Sequence, residues 1–261
     1  MLLVRYAGPD GPSFGVIHEH NVYTLDADPL AASFDPAAAE PGQLVGGIGE
    51  VELCAPCVPT KIVAVGRNYA AHAAELGNET PSEPLLFFKP PSAVIGPDVP
   101  IVLPPESERV DHEAELCLVI GKRCRRVPVE TAWHYVLGVT CGNDVTARDI
   151  QRRDSQWARA KGFDTSAPLG PWIVTNMSAA DASNLSVTCQ VNGQYRQMGE
   201  TKEMVFAPSE LVSYISQMIT LEPGDVVMTG TPSGIGPLQP GDVVEVTITG
   251  IGTLTNPVTA G

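Results

Sequence analysis

No apolar run in the 261-residue chain approaches the roughly 20 residues that a membrane-crossing helix needs. The N-terminus, MLLVRYAGPDGPSFGVIHEH, lacks the positively charged start and small-residue cleavage site of a secretory signal, so a cytoplasmic protein is expected. Basic residues are scarce: 16 Lys and Arg stand against 30 Asp and Glu. The formal charge of −14 argues against a nucleic-acid partner, which calls for a basic patch to neutralise phosphates. One short basic run, KRCRR from Lys122 to Arg126, follows a strand-like stretch and reads as a solvated turn. Missing too is the second Cys pair of a zinc site. Cys54 and Cys57 form CAPC with no companion pair and no helix start, which makes them structural thiols in a reducing compartment. Tandem repeats and a regular βαβ alternation are absent as well, which disfavours a doubly wound parallel sheet.

What is present suits a folded, β-rich protein. A hydrophobic fraction of 43% with 18% charged residues is enough to bury a core and excludes a disordered chain. Residues 1–57 hold short strand-like pieces (LLVRYA, FGVIHEH, VYTL) parted by Gly, Pro and Asp turns, then an Ala- and Pro-rich stretch. They read as a small N-terminal β module closed by CAPCVPT. A larger unit, 58–261, opens at the strand-like KIVAVG. NYAAHAAELGN reads as a short helix stopped by Gly77, VPVETAWHYV as a second with Pro near its start, and APSELVSYISQMIT as a third with Ser209 as N-cap. Strands dominate the remainder. The fold class is mainly β with a few helices (α+β).

RVDHEAELCLVIG, residues 109–121, poses a problem of its own. Its second half is a buried strand, but its first half sets Asp111, Glu113 and Glu115 at alternate positions on one face. Such carboxylates repel one another. One resolution is an exposed edge that carries charge against aggregation. The other is a hard divalent cation with oxygen ligands, Glu113 and Glu115 supplying two, and Asp144 of CGNDVTARD a third, with Asp111 as a substitute. His72 and Glu75, at i and i+3 of the first helix, could form a carboxylate-oriented general base. His112 alternates away from the ligands and is expected to be structural.

Seven blocks, in order, carry a resemblance to a known family: KIVAVGRNYAAHAAELG, PLLFFKPPSAV, DHEAELCLVIG, GVTCGNDVTARDIQ, AKGFDTSAPLGPWIV, EPGDVVMTGTPSGIGPL and GDVVEVTITGIGTLTNPV. Together they resemble the fumarylacetoacetate hydrolase family, nearest its group of acylpyruvate hydrolases, oxaloacetate decarboxylases and 2-hydroxyhepta-2,4-diene-1,7-dioate isomerases. The resemblance spans about Pro59 to Val258. It implies a mixed β-sandwich roll, a homodimer, and Mg²⁺ or Mn²⁺ (with Ca²⁺ able to substitute) held by Glu113, Glu115 and Asp144. It also implies a His72–Glu75 dyad on a short lid helix, Lys161 as a catalytic lysine, and Arg148 and Gln151 facing the pocket.

Arg67 of GRNY, Lys89 and Ser92 of FFKPPS, and Thr231 of TGTPSGIG are further substrate-binding candidates. Pro90 and Pro91 could shape their loop through a cis bond. The Gly-rich stretch around Thr231 lacks the Lys and spacing of a P-loop, so nucleotide binding is not expected. The expected substrate is a small 2-oxo acid whose enolate the metal stabilises. Hydrolysis of a carbon–carbon bond in a 2,4-dioxo acid ranks first, oxaloacetate decarboxylation second, and isomerisation or decarboxylation of a hydroxymuconate-like dioate third. A Ca²⁺-binding structural module is the non-enzymatic alternative; it would have no use for a base on a neighbouring helix.

Overall fold

The computed structural model describes residues 1–31 and 33–261; Ala32, within the Ala- and Pro-rich stretch, lies outside them. The first residues form a meander of β1 (Leu2–Gly8), β2 (Gly11–His18), β3 (Asn21–Thr24) and β4 (Leu44–Gly47). Its apolar positions, Leu3, Val4, Val16 and Val22, are buried. The apolar run at 62–66 makes β5 (Ile62–Gly66), followed by α1 (Ala70–Glu75) and β6 (Leu85–Lys89). Short β7 (Val94–Ile95), β8 (Ile101–Leu103) and β9 (Val110–His112) lead into β10 (Ala114–Ile120). After α2 (Val129–Ala132) come β11 (Val136–Asn143) and β12 (Thr146–Ala147), then α3 (Arg148–Arg153) and α4 (Ala158–Lys161). β13 (Ala167–Val174), α5 (Ala179–Ala182), β14 (Ser186–Val191), β15 (Gln194–Glu200) and α6 (Pro208–Met218) follow. The chain closes with β16 (Val226–Met228), β17 (Gly236–Pro237), β18 (Val243–Ile248) and β19 (Gly252–Ala260).

The strands make one large sheet in the order β4-β3-β2-β1-β13-β11-β10-β16-β5-β6, with β7 also on β13, and two smaller ones, β12-β9-β17 and β15-β14-β18-β19-β8. This is the mainly β fold with few helices that the sequence implies. β10 lies inside the large sheet, and its side chains alternate between two cores. Leu116, Leu118 and Ile120 join Val187, Val246, Leu211 and Ile215, whereas Cys117 and Val119 join Leu3, Ile62, Leu169 and Ile173. Burial on both faces is why CLVI reads as an unbroken apolar run rather than an alternating one. The N-terminal meander is hydrogen-bonded into the same sheet, with Leu2 opposite Val174 and Leu3 opposite Ile173.

Three local expectations are corrected. The single strand expected over 110–120 is two, because β9 pairs with β12 and β17 while β10 pairs with β11 and β16. Glu113 is the joint between the sheets, its N–H donating to Asn143 Oδ1 (2.9 Å) and its C=O accepting from Asp144 N (2.9 Å). The cis peptide is Gly170–Pro171 and not a bond of the Pro90–Pro91 loop. The last long helix is capped at Ala207 with Pro208 at N1, and Glu210 Oε2 accepts from the Ala207 N–H (2.7 Å), so Ser209 lies inside it. Proline's fixed φ suits that first helical position, which places the cap one residue before it. In the KRCRR turn the four basic residues are exposed and Cys124 is buried, as expected of a solvated turn.

Candidate metal centre and active site

Glu113, Glu115 and Asp144 each offer a carboxylate oxygen, and these lie within 4.8 Å of one another. All three side chains are buried, which rules out the exposed-edge reading of the alternating acids. The β9–β10 joint supplies the glutamates and the end of β11 supplies the aspartate, so three rigid elements aim the groups at one point. Asp111 is not part of the cluster; it accepts from Arg109 Nε (2.9 Å) and Arg148 Nε (2.9 Å).

Basic side chains neutralise two of the three acids. Lys161 Nζ donates to Glu113 Oε2 (2.9 Å) and Asp144 Oδ2 (2.5 Å), Lys89 Nζ donates to Asp144 Oδ1 (2.7 Å), and Arg148 Nη2 donates to Glu113 Oε1. Burial alone would push the Glu113 carboxyl up, but Lys161 and Arg148 outweigh it and hold that group well below the usual carboxylate range. Glu115 is different. Its Oε2 accepts from Gly230 N (2.7 Å), and burial, with Asp144 and Glu113 beside it, pushes its carboxyl well above the usual range. Three buried oxygen donors, one of them short of positive charge, fit a hard divalent cation such as Mg²⁺ or Mn²⁺.

The dyad opens on the same space. His72, buried on α1, places Nδ1 3.2 Å from Glu75 Oε2. The carboxylate can only accept, so Nδ1 carries the proton and Nε2 is left as the basic nitrogen. Glu75 Oε1 in turn accepts from Gly234 N (3.0 Å). The Gly-rich loop therefore spends its amides on protein carboxylates, Gly230 on Glu115 and Gly234 on Glu75. A cavity of about 390 Å³ joins both sets, walled by Phe87 and Trp157, whose rings meet edge-on at 5.4 Å.

Residues 61–259 match the family model for the fumarylacetoacetate hydrolase C-terminal domain. The chain belongs to the fumarylacetoacetate hydrolase family. Among its relatives, mitochondrial oxaloacetate tautomerase FAHD2A of Bos taurus is 45% identical over 219 residues, 80% of this chain and 70% of that protein. The crystal structure of a 5-carboxymethyl-2-hydroxymuconate delta-isomerase from Mycobacterium smegmatis superposes with a TM-score of 0.88 at 44% identity, covering 100% of both chains. A fumarylpyruvate hydrolase from Pseudomonas aeruginosa, solved with Mn²⁺ and pyruvate, gives 0.73 at 33% identity over 78% of this chain and 91% of its own. Members of the family are thus enzymes acting on small molecules, and among the described residues no helix is long and apolar enough to cross a membrane.

Of the family-implied residues, His72, Glu75, Glu113, Glu115, Asp144, Arg148, Gln151 and Lys161 all line the one cavity, as do Arg67 and Thr231. Lys89 and Ser92 do not. Lys89 is fully buried and its Nζ is committed to Asp144 and to the backbone oxygen of Lys161, which makes it a support for the acids rather than a substrate contact. Ser92 is exposed on a 3₁₀ turn outside the cavity wall. Cys54 and Cys57 contribute to no metal-ligating cluster among the described residues. Gln197 is a site residue that the sequence does not single out. From β15, its Oε1 accepts from Ala114 N (3.0 Å) and His112 Nδ1 (2.9 Å), and its Nε2 donates to Thr231 Oγ1 (2.7 Å) and Pro232 O (2.8 Å). It thus clamps the backbone between the two glutamates, with His112 in the structural place expected of it. The only sequence signal is a polar residue in an alternating strand, which is too common to single it out.

Proposed function

We propose that the protein is a divalent-metal-dependent hydrolase that cleaves a carbon–carbon bond in a 2,4-dioxo acid of acylpyruvate type. The observation carrying this reading is that the His72–Glu75 pair and the Glu113, Glu115, Asp144 cluster open onto one cavity. A divalent cation, Mg²⁺ or Mn²⁺, held by the three carboxylates would supply Lewis-acid polarisation of the substrate's 2-oxo group. Lys161 Nζ, beside Glu113 and Asp144, adds positive charge where enolate oxygen develops. His72 Nε2 removes a proton from water, Glu75 holding the imidazole in the tautomer that can do so. The hydroxide adds to C4, the C3–C4 bond breaks with its electron pair passing to C3, and the imidazolium returns its proton to C3. The products are pyruvate and a carboxylic acid, which loses its proton to solvent. Phe87 and Trp157 give the cavity an apolar side.

A second reading, tautomerisation or decarboxylation of oxaloacetate, is favoured by the 45% identity to an oxaloacetate tautomerase. There His72 would move a proton at C3 with no water attack. Isomerisation of a hydroxymuconate-like dioate asks the same of it. Homodimeric assembly belongs to the proposal through the family resemblance. The test is a panel of acylpyruvates, oxaloacetate and hydroxymuconate-type dioates assayed with Mg²⁺ and Mn²⁺. Metal-dependent release of pyruvate from acylpyruvates supports hydrolysis; turnover of oxaloacetate alone would replace it with the second reading.

A further inference from the structure

Away from the catalytic cavity lies a second one of about 430 Å³, within the size range of small-molecule sites. One wall is the Ala- and Pro-rich excursion of the N-terminal module around Phe34 and Asp35; the other is formed where β10 ends and β11 begins, around Lys122 and Tyr135. β10 pairs with β11 from Ala114 opposite Asn143, beside the carboxylate cluster, to Ile120 opposite Val136, beside this second cavity. At about 3.3 Å per residue, that length of strand sets the two cavities roughly 20 Å apart.

Each wall brings an aromatic ring and a charge. From the excursion come Phe34, packed against the core that includes Leu137, and Asp35. Asp35 Oδ1 accepts from Ala37 N (3.0 Å), and its second oxygen has no partner among the described residues. The facing wall supplies Lys122, His134 and Tyr135. Tyr135 O accepts from Lys122 N (3.2 Å), which brings those two backbones together with His134 next in the chain. Other members of the basic run are committed to the protein: Arg123 Nε donates to Glu222 Oε1 (2.9 Å), and Arg125 Nη1 donates to Ser216 O (3.1 Å) near the end of α6. Among the described residues Lys122 forms no ion pair, with Asp35 or with any other acid. Charges of opposite sign on facing walls, a ring on each and an apolar floor at Leu137 suit a ligand with both charges at one end of a planar, apolar body.

We propose that this cavity is a second binding site, remote from the catalytic one, for an α-amino acid with an aromatic side chain. Its carboxylate takes Lys122 and a His134 N–H, its ammonium takes Asp35, and its ring lies between Phe34 and Tyr135. Neither the carboxylate cluster nor the His72–Glu75 pair takes part.

Binding calorimetry on the full-length protein tests this with L-phenylalanine, 3-phenylpropionate, which lacks the ammonium, and 2-phenylethylamine, which lacks the carboxylate. L-Phenylalanine is expected to bind one per chain and about tenfold more tightly than either analogue. Lys122→Gln should lower its affinity to that of 2-phenylethylamine and leave the amine's own affinity unchanged; Asp35→Asn should do the reverse, lowering it to that of 3-phenylpropionate. Trp157→Ala, in the wall of the catalytic cavity, should bind L-phenylalanine like the wild type. Melting temperatures within the wild-type range establish that the variants are folded. No binding of L-phenylalanine, equal binding of all three probes, or binding weakened by Trp157→Ala but not by Lys122→Gln and Asp35→Asn overturns the site.

Discussion

At the scale of single residues, Glu115 is the group most out of balance. Its folded-state pKa is raised, so between the ordinary carboxylate value and the raised one the native protein holds a proton that the unfolded chain has lost. Stability contributed by that proton is present at low pH and fades as pH rises through the folded pKa. Thermal melts in chelator should therefore show the metal-free wild type losing stability relative to Glu115→Gln as pH rises above the ordinary carboxylate range. At pH near 8 Glu115→Gln should be more stable than the metal-free wild type, because the amide keeps an oxygen for the Gly230 N–H and puts no charge beside Asp144 and Glu113. Saturating Mg²⁺ should flatten the wild-type slope. The thiols behave in a simpler way. Burial pushes Cys57, Cys141 and Cys189 up to about 12 and Cys124 up to about 11, and Cys117 is likewise raised by burial, whereas Cys54 is only half-buried. A chromogenic disulfide reagent should titrate Cys54 alone in the native protein and all six thiols in denaturant; several fast native thiols would contradict the burial.

At the scale of elements, the loop from Thr229 to Gly236 organises the site, because its amides hold Glu115 of the carboxylate cluster and Glu75 of the dyad. Gly234 has φ of 98°, and a Cβ there would lie 2.2 Å from Arg196 O. Gly234→Ala must therefore shift the loop and loosen Glu75 from the amide that orients it. The expected result is a fall in kcat of about 10²-fold with Mg²⁺ affinity kept, since misplacing an orienting group costs on that order. A matching loss of Mg²⁺ binding would mean the loop supports the metal ligands instead. Gln197 belongs to the opposite class. It clamps Ala114, so Gln197→Ala should weaken Mg²⁺ binding by displacing Glu113 and Glu115 together.

Elements also separate what the sequence makes legible from what it hides. The strand character of CLVI and the conflict of carboxylates at alternate positions are local, and both are readable from period alone. Asp144 is legible as a candidate third ligand from its place just after a strand, whereas Lys161 beside those acids follows only from the family resemblance, because no local rule joins residues so far apart in the chain. The split at Glu113 is hidden because it depends on which strands lie alongside. Lys89 looks like a loop cation beside two prolines, and only tertiary pairing with Asp144, 55 residues away, reveals it as a buried support. Gln197 reaches Ala114 across 83 residues from a different sheet.

At the scale of the whole molecule, the active site is held by a sheet that begins at the N-terminus. β1 covers the edge of β13, and Leu3 and Val16 pack in the same core as Leu169 and Ile173. Deleting residues 1–57 would bare that edge and uncover those side chains, so the truncated chain should aggregate or melt far below the full-length protein, as light scattering and calorimetry would show. A truncated chain that stayed soluble with full stability would make residues 1–57 an appendage. The central claim is that two separable groups share one cavity, three carboxylates for a metal and a His72–Glu75 base for the chemistry. Its most direct test measures Mg²⁺ affinity and turnover in parallel for His72→Asn and Glu115→Gln. The account predicts that His72→Asn binds Mg²⁺ like the wild type and turns over at least about 10²-fold more slowly, whereas Glu115→Gln loses both. Wild-type Mg²⁺ affinity in Glu115→Gln, or unchanged turnover in His72→Asn, would contradict it.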